Sequence, residues 1–255
     1  MRTANRSDVG RIRLVNEDRA WAAELPGGVT AAIVADGMGG HQAGDVASQL
    51  AVDTFREAIA SVQAELTHEQ AKTALCQAIL QANEAVFELA VRNEHYRNMG
   101  TTVVAALLLG DAGFIGHIGD SRAYKQRGDM LRLLTEDHTL VNELAKSGQI
   151  SPEEAANHPR RHVLTRALGT EREVEVDLKG FSWLPGDRLL LCSDGLYAMV
   201  TEDEIRETLL DGDLDLDGKA NRLIELALEA GGEDNVTVLL IEYNDGVHPG
   251  GEQQA

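Results

Sequence analysis

Cysteine is almost absent from this chain. Only Cys76 and Cys192 occur among its 255 residues, and they form no C-x-x-C pair. Two isolated cysteines exclude a fold that depends on a disulfide framework. Their apolar neighbours predict two buried, reduced thiols.

Long apolar stretches are also missing. No run approaches the roughly 18 consecutive apolar residues that a membrane-spanning helix requires. The N-terminal residues Met1 to Asn5 lead into polar sequence without the apolar segment of a signal peptide. We therefore expect no membrane insertion and a cytoplasmic location.

Positive charge is scarce. The chain has 23 Lys and Arg against 42 Asp and Glu, which gives a formal net charge of −19 at pH 7. Such a chain would repel nucleic acid, so we expect no nucleic-acid partner. The excess of carboxylates is compatible with cation binding, and equally with a well-solvated acidic surface.

What is present is the composition of a globular protein, 43% hydrophobic. Two amphipathic helices are predicted, one with apolar positions from Val46 to Val62 and one from Ala71 to Leu89 after a Thr67/Gln70 capping box. Residues 139–168 are predicted to be mostly helical, with a capping box at Ser151–Glu154 that has proline at its first helical position. Further helices are predicted near 202–210 and 219–230. Strands are predicted within 1–35 and at 101–109, 114–118, 122–125, 130–134, 172–181, 187–192 and 237–243.

This order of elements favours an α+β fold with antiparallel sheets. Two sheets packed between pairs of helices, a four-layer αββα arrangement, would bury every apolar face. No repeat or linker divides the body. We expect one domain over residues 1–244 and a flexible tail at 245–255.

Acidic residues recur beside the apolar strands. Asp36, Asp120 and Asp194 each follow such a run next to a glycine, and Asp234 comes just before the last run. Carboxylates at neighbouring strand ends repel one another unless a cation holds them. Oxygen-only clusters suit Mg²⁺ or Mn²⁺, and two such ions on shared carboxylates commonly serve phosphate-ester hydrolysis.

Each acidic residue also has a plain explanation, because Asp-Gly is a common turn pair. The glycine-rich segment 36–41 matches neither dinucleotide nor P-loop spacing. Asp213–Gly218 begins like a calcium loop but has Ile224 where glutamate is required, so an acidic turn at a helix start is favoured.

Other catalytic patterns are weak. His158 and His162 are separated by Pro159, which disfavours a shared helical zinc site. Ser193 lacks the G-x-S-x-G elbow of a serine nucleophile. Arg13 lies in an alternating segment that favours a strand, where it could either clamp phosphate or face solvent.

An ordered set of short segments resembles the metal-dependent protein phosphatases, the protein phosphatase 2C family, and in particular its bacterial single-domain branch. The resemblance spans about residues 2–243. The segments are 7–10, 16–18, 36–41, 100–102, 119–124, 137–138, 164–169, 193–196 and 234–237.

The resemblance implies a β-sandwich flanked by helix pairs, with two Mn²⁺ or Mg²⁺ ions. By motif match, Asp36 bridges both ions, the Gly37 carbonyl serves one, and Asp194 and Asp234 serve the other. Asp120 with Asp194 would hold a weaker third ion.

The remaining roles also come from the resemblance. Glu17 and Asp18 would hold metal-bound waters, Arg13 would hold the substrate phosphate, and residues 140–168 would form a mobile flap. Eukaryotic members have histidine directly after the Asp-Gly pair, where this chain has Met38. His41 is therefore a candidate general acid, with a metal-bound water as the alternative.

The implied activity is hydrolysis of phosphoserine and phosphothreonine on proteins by a metal-bridging hydroxide. The expected partners of this monomer are phosphorylated proteins, a bacterial Ser/Thr kinase and its substrates among them. Two alternatives remain on the same fold. One is an inactive phosphoprotein-binding domain, which the intact acidic set argues against. The other is a phosphatase for a partner-switching regulator, which would be expected to carry a sensor domain.

Overall fold

A computed structural model describes residues 1–39, 43–61 and 66–244 of the chain. His41, Val62 and the predicted tail at 245–255 lie outside the described residues. Two antiparallel sheets form the centre of the molecule.

The first sheet joins the two ends of the chain. The N-terminal strand pairs with the C-terminal one, with Arg2 opposite Glu242 and Asp8 opposite Val236. In spatial order its strands are β1 (Arg2–Asp8), β11 (Val236–Glu242), β10 (Arg188–Cys192), β7 (Arg122–Arg127) and β8 (Met130–Leu133).

The second sheet is built from the middle of the chain. Its order is β2 (Asp18–Leu25), β3 (Val29–Met38), β5 (Val103–Leu109), β6 (Ala112–Ile118) and β9 (Asp177–Ser182), and the short β4 (Gly100–Thr101) pairs with the end of β3. Strands β3 and β5 are almost wholly buried, as their continuous apolar sequences require.

Helices cover the outer face of each sheet. Helices α1 (Ala43–Ala60) and α2 (His68–Arg92) bury Phe55, Leu75 and Ile79 against the second sheet. Helices α6 (Glu202–Leu210) and α7 (Leu216–Glu229) cover the first sheet. A third apolar cluster, including Val34, Ile115, Trp183, Leu189 and Leu239, fills the space between the sheets. The predicted four-layer αββα arrangement is confirmed.

Helix starts agree with the sequence. Capping boxes at Thr67, Ser151 and Thr201 begin α2, α4 (Pro152–Ala156) and α6. The acidic segment before α7 supplies an N-cap, because Asp215 accepts a hydrogen bond from the Gly218 N–H. This is the role that the sequence favoured over a calcium loop.

The prediction that residues 139–168 are mostly helical is wrong. The segment contains only α3 (Leu140–Lys146) and α4, helices of 7 and 5 residues. Gly148, with φ of +72°, follows the end of α3, and Pro159 lies in the turns after α4. Non-helical backbone pairing is present instead, since Thr139 forms an isolated β-bridge with Leu164 inside the segment and Leu168 forms one with Thr101.

Three smaller predictions also need correction. Strand β9 begins at Asp177, not near 172, because the carbonyls of Glu171 and Arg172 accept hydrogen bonds from Asn83 of α2. The short helix α5 (Asp194–Tyr197) was not predicted. Cys192 is buried as expected, whereas Cys76 is only partly buried.

None of the helices in the described part of the chain is both long and apolar enough to cross a membrane.

Candidate metal and phosphate site

Five aspartates from both sheets meet at one end of the sandwich. Asp18 and Asp36 are direct partners in the β2–β3 register. Asp194 opens α5 after β10, Asp234 precedes β11, and Asp120 follows β6. Burial and then the negative charges of all the other four raise the pKa of Asp36, so the five carboxylates form one electrostatic group. Asp36 lies inside β3 and not at its end, because pairing with β4 extends the strand to Met38.

The aspartate cluster is poorly solvated for so much negative charge. Burial, followed by the charges of Asp194 and Asp234, raises the pKa of Asp18 to about 7 despite hydrogen bonds that lower it. Burial and then Asp194 raise the pKa of Asp120 to about 7. Burial also raises the pKa of Asp36 and of Asp234. Without a cation, the folded protein disfavours ionisation of these groups.

Little positive charge from the protein reaches this cluster. Among the described residues, only Arg13 and His162 come within salt-bridge distance of it, Arg13 at 2.7 Å from Asp234 and His162 at 3.8 Å from Asp194. The buried Oδ1 of Asp18 accepts no hydrogen bond from a described residue. An oxygen-only group with unbalanced charge and a free acceptor fits a hard divalent cation such as Mg²⁺ or Mn²⁺.

The backbone at Asp36 and Gly37 is fixed by its neighbours. The Asp36 carbonyl accepts hydrogen bonds from Thr101 Oγ1 and the Thr102 N–H, both at 2.8 Å. A Cβ atom at position 37 would lie 2.1 Å from the Gly44 carbonyl oxygen. Only glycine therefore allows β3 to approach the start of α1 this closely.

Arg13 lies in a loop, and its predicted place in a strand is wrong. Residues 9–17 connect β1 to β2, and Gly10 turns the chain with φ of +80°. The Arg11 N–H bonds to the Gly232 carbonyl at 2.7 Å, so the loop is tied to the segment before β11 and not to a strand ladder. The Arg13 side chain is half exposed and donates one hydrogen bond, to Asp234 Oδ2. Its other N–H groups bond to no described residue.

Comparison with known proteins identifies the family. Residues 11–218 match the family described as protein phosphatase 2C. The chain belongs to the protein phosphatase 2C family. Together with its relatives named as serine/threonine phosphatases, this match shows that the chain is an enzyme, a protein-serine/threonine phosphatase.

Relatives of this phosphatase match nearly its whole length. It is 46% identical over 239 residues to the serine/threonine phosphatase stp of Listeria innocua, with 94% of each chain covered. Its structure resembles that of the serine/threonine phosphatase PstP/Ppp of Mycobacterium tuberculosis with a TM-score of 0.87 at 39% identity, covering 96% and 99% of the two chains. A structure of the PstP catalytic domain in complex with two manganese ions matches with a TM-score of 0.84 at 38% identity, covering 96% and 98%.

Ser193 positions one carboxylate of this protein phosphatase 2C site. Its Oγ donates to Asp18 Oδ2 at 2.6 Å and accepts from the Thr237 N–H at 3.0 Å. This role of Ser193 could not be predicted from the sequence, because the two partners are 175 and 44 residues away. Its exclusion as a nucleophile agrees with its full burial.

Asn235 is a second residue that sequence reasoning missed. Its Oδ1 accepts from the Glu17 N–H at 2.8 Å, and its Nδ2 donates to the Val9 and Val15 carbonyls at 2.9 and 3.0 Å. One buried amide therefore fixes both ends of the loop that carries Arg13. Its place in the 234–237 segment, next to Asp234, marked it in the sequence, but nothing there indicated these three hydrogen bonds.

Glu17 lies at the edge of the cluster. A Cβ atom on Gly44 would be 2.7 Å from Glu17 Oε1, so this carboxylate rests against the first turn of α1. The positive end of the helix dipole favours a carboxylate there. The structure thus brings Arg13, Glu17 and the five aspartates to one region, while His41 lies outside the described residues.

Proposed function

We propose that this phosphatase hydrolyses phosphoserine and phosphothreonine esters on proteins with two Mn²⁺ or Mg²⁺ ions in the aspartate cluster. Asp36, Asp194, Asp234 and the Gly37 carbonyl would hold the two ions, and Asp120 with Asp194 a weaker third. One observation carries the proposal. The five aspartates share one poorly solvated region, burial raises the pKa values of Asp18, Asp36, Asp120 and Asp234, and the described cationic groups are too few to balance the cluster.

The relatives favour the same ions. The PstP catalytic domain, which matches nearly the whole chain, has been seen with two manganese ions. Oxygen ligands alone suit Mg²⁺ and Mn²⁺ alike. Both metals are therefore kept in the proposal.

The protein's own groups would orient the reactants. When bound, such ions lower the pKa of water and neutralise phosphoryl charge. Arg13 uses one N–H on Asp234 and keeps the others for phosphate oxygens. Asp18, whose Oδ1 is a free acceptor, and Glu17 would orient the attacking water. His41 or a water molecule would supply the proton for the departing serine or threonine oxygen.

The partners follow from this chemistry. The substrates would be phosphorylated proteins, including a bacterial Ser/Thr kinase and proteins phosphorylated by it, and the enzyme would act as a cytoplasmic monomer. Residues 140–168 would serve as a flap beside the site. The contact between His162 of this segment and Asp194 supports that placement.

A phosphothreonine peptide tests the proposal directly. Hydrolysis should stop when metal is chelated and return when Mn²⁺ is added. Asp36→Ala should lack activity even at high Mn²⁺ concentration, because its carboxylate is proposed to serve both ions. Asp129→Asn, an exposed aspartate in the β7–β8 turn, is the matched control and should keep wild-type activity. Full activity of Asp36→Ala after chelation and readdition of Mn²⁺ would falsify the metal assignment.

A further inference from the structure

A second group of titratable side chains lies apart from the five aspartates. His117 and His138 are 5% and 2% exposed, and their rings stack with centroids 4.8 Å apart and planes at 15°. Asp177 lies opposite His117 in the β6–β9 register. One potential ligand atom from each of the three falls within 4.8 Å of the others. Composition alone would make this group a candidate transition-metal site.

The hydrogen bonds of His138 argue against a metal. The Gly119 N–H donates to His138 Nδ1 at 3.0 Å, so Nδ1 carries no proton. A neutral imidazole then has its proton on Nε2, which lies 3.4 Å from Asp177 Oδ2. A metal on Nε2 would require either an imidazolate ring or loss of the Gly119 bond. His117 Nε2 is also engaged, at 2.8 Å from the Glu136 carbonyl oxygen.

We propose instead that His138 is a positioning residue for Asp120, acting through Gly119. His138 binds both backbone groups of Gly119. The backbone N–H of His138 donates to the Gly119 carbonyl at 2.9 Å, and its ring Nδ1 accepts from the Gly119 N–H. Among the described residues, no other residue bonds to both the N–H and the carbonyl of Gly119.

The two hydrogen bonds between His138 and Gly119 are called the clamp below. Steric contact restricts Gly119 as well. Its φ is +103°, and a Cβ atom there would lie 2.7 Å from Thr102 Cβ. The peptide is thus held between Thr102 and His138. Because Asp120 is the next residue, rotation of the Gly119 peptide would redirect its buried carboxylate. The Tyr197 hydroxyl, which donates to the Asp120 carbonyl at 2.9 Å, fixes the following peptide.

Hydrogen bonds also connect His138 and its neighbour Asp177 to the far end of the 140–168 segment. Asp177 Oδ2 faces His138 Nε2, and Asp177 Oδ1 accepts from Arg166 at 2.8 Å. The His138 carbonyl accepts from the Thr165 N–H at 2.9 Å. Asp177 Oδ2 therefore lies on the Nε2 side of the imidazole while Nδ1 faces Gly119, and the end of the proposed flap is tied to the same histidine.

Two substitutions test the Nδ1 side and the Nε2 side of the His138 ring independently. Asparagine carries an acceptor at the same number of bonds from Cα as Nδ1, so His138→Asn can keep the Gly119 bond and loses the Asp177 contact. Glutamine places its amide where Nε2 lies, so His138→Gln can keep Asp177 and loses the acceptor for Gly119. A residue that only fills space would be replaced about equally well by either amide.

The inference rests on the proposed function, in which Asp120 holds the weaker ion. His138→Gln should lower kcat on a phosphothreonine peptide about tenfold or more, as expected when a residue supporting a metal ligand is removed. It should also raise the Mn²⁺ concentration needed for half-maximal activity and weaken the lowest-affinity Mn²⁺ site in calorimetric titration. His138→Asn should keep most of the activity and the wild-type Mn²⁺ requirement. His117→Asn, which alters the stacked ring without touching Gly119, controls for lost packing.

The decisive readouts do not depend on turnover alone. In ¹⁵N NMR spectra, wild-type His138 should be the Nε2–H tautomer, and the Gly119 amide signal should move in His138→Gln and stay in His138→Asn. If His138→Gln does not fold, His138→Ala, which also lacks an acceptor for the Gly119 N–H, should show the raised Mn²⁺ requirement that His138→Asn does not. Equal losses in the Asn and Gln variants, or a shift of both histidine signals on adding Zn²⁺, would overturn the inference. A wild-type enzyme inactive with Mn²⁺ would instead overturn the proposed function, and the Gly119 signal would still test the clamp.

Discussion

Arg13 is oriented by one contact, and it is the side chain proposed to hold the substrate phosphate. Among the described residues it bonds only to Asp234, which aims the guanidinium at the aspartate cluster and leaves its other donors free of described partners. Arg13→Ala should lower kcat/KM for a phosphopeptide about tenfold or more, because a charge-assisted contact is lost. Arg13→Lys should recover only part, since an ammonium group cannot form the two-pronged contact.

Steady-state kinetics on the same peptide measure both variants. Arg11→Lys is the matched control, because Arg11 lies in the same loop but bonds to the Leu228 carbonyl. A lysine variant of Arg13 with full kcat/KM would show that the fork geometry plays no part.

Asp187 is a buried carboxylate with a structural role. Burial raises its pKa, but hydrogen bonds from Arg127, the Leu184 N–H and Lys125 outweigh this, and the net pKa is lowered. A carboxyl whose folded pKa is lowered stabilises the fold above its unfolded pKa, about 3.9, and the contribution is lost as the pH falls through the folded value.

Removing this charge has a predictable cost. Asp187→Asn leaves the nearly buried Lys125 ammonium without its counter-ion, so we expect a loss of about 3 kcal/mol in the free energy of unfolding at pH 7. Urea denaturation of both proteins across pH 3 to 7 measures it. The gap should narrow as the pH falls below about 4, because the Asp187 carboxyl of the unfolded chain takes up a proton there before the folded one does. A gap that stays constant over this range would exclude the ionic contribution.

At the scale of elements, features set by residues close together in the sequence were predicted, whereas features set by distant partners were missed. The starts of α2, α4 and α6 were predicted because a capping box needs only residues three apart. The conformations of 9–17, 139–168 and 172–176 were missed because partners far along the chain fix them. Asn83, for example, draws the backbone at Glu171 away from β-pairing across 88 residues.

The loop that carries Arg13 should depend on one such distant partner. Asn235→Asp keeps an acceptor for the Glu17 N–H but turns a carboxylate oxygen toward the Val9 and Val15 carbonyls, where two donated bonds were. Each lost buried hydrogen bond costs about 1–3 kcal/mol. We expect lower stability, faster amide exchange in residues 9–17 and a raised KM for phosphopeptide.

The exchange measurement distinguishes a loop effect from a general one. Amides of β5, in the core of the other sheet, serve as the internal control. Faster exchange in β5 and the loop alike would show that the whole domain, not this loop, has been weakened.

At the scale of the whole molecule, the site spans the sandwich. Asp18 and Asp36 belong to one sheet, while Asp194 and Asp234 adjoin strands of the other. The sequence predicted the fold class from its strand and helix order, and it predicted the acidic residues from their places beside strands. It could not show that Asp18 is buried against Ser193, which depends on how the two sheets pack, or that Asp36 is the partner of Asp18, which depends on the register of β2 and β3. The roles of the individual residues stay predictions.

A site across two sheets couples metal binding to the stability of the whole domain. Mn²⁺ held as proposed would bind the folded cluster far better than the unfolded chain, so it should stabilise by about 2.7 kcal/mol at a hundredfold excess over its dissociation constant. Without metal, a raised folded pKa such as that of Asp18 or Asp120, about 7, means that stability falls as the pH rises through that value. Chelated wild-type protein should therefore melt lower at pH 8 than at pH 6, and Mn²⁺ should reduce the difference.

Two substitutions test which proposed ligands account for the stabilisation of the domain by metal. Asp194→Asn removes one repelling charge and one proposed ligand of the tightly held ions, so it should melt higher than wild type under chelation and gain less from Mn²⁺. Asp120→Asn, beside the weaker ion, should lose much of its turnover yet keep most of the stabilisation by Mn²⁺. Melting curves of the three proteins with chelator and with Mn²⁺ make the comparison. A wild-type melting curve that Mn²⁺ leaves unchanged would contradict a tightly held pair of ions. Ions that bind the folded cluster and relieve the repulsion among its five aspartates must raise the melting temperature.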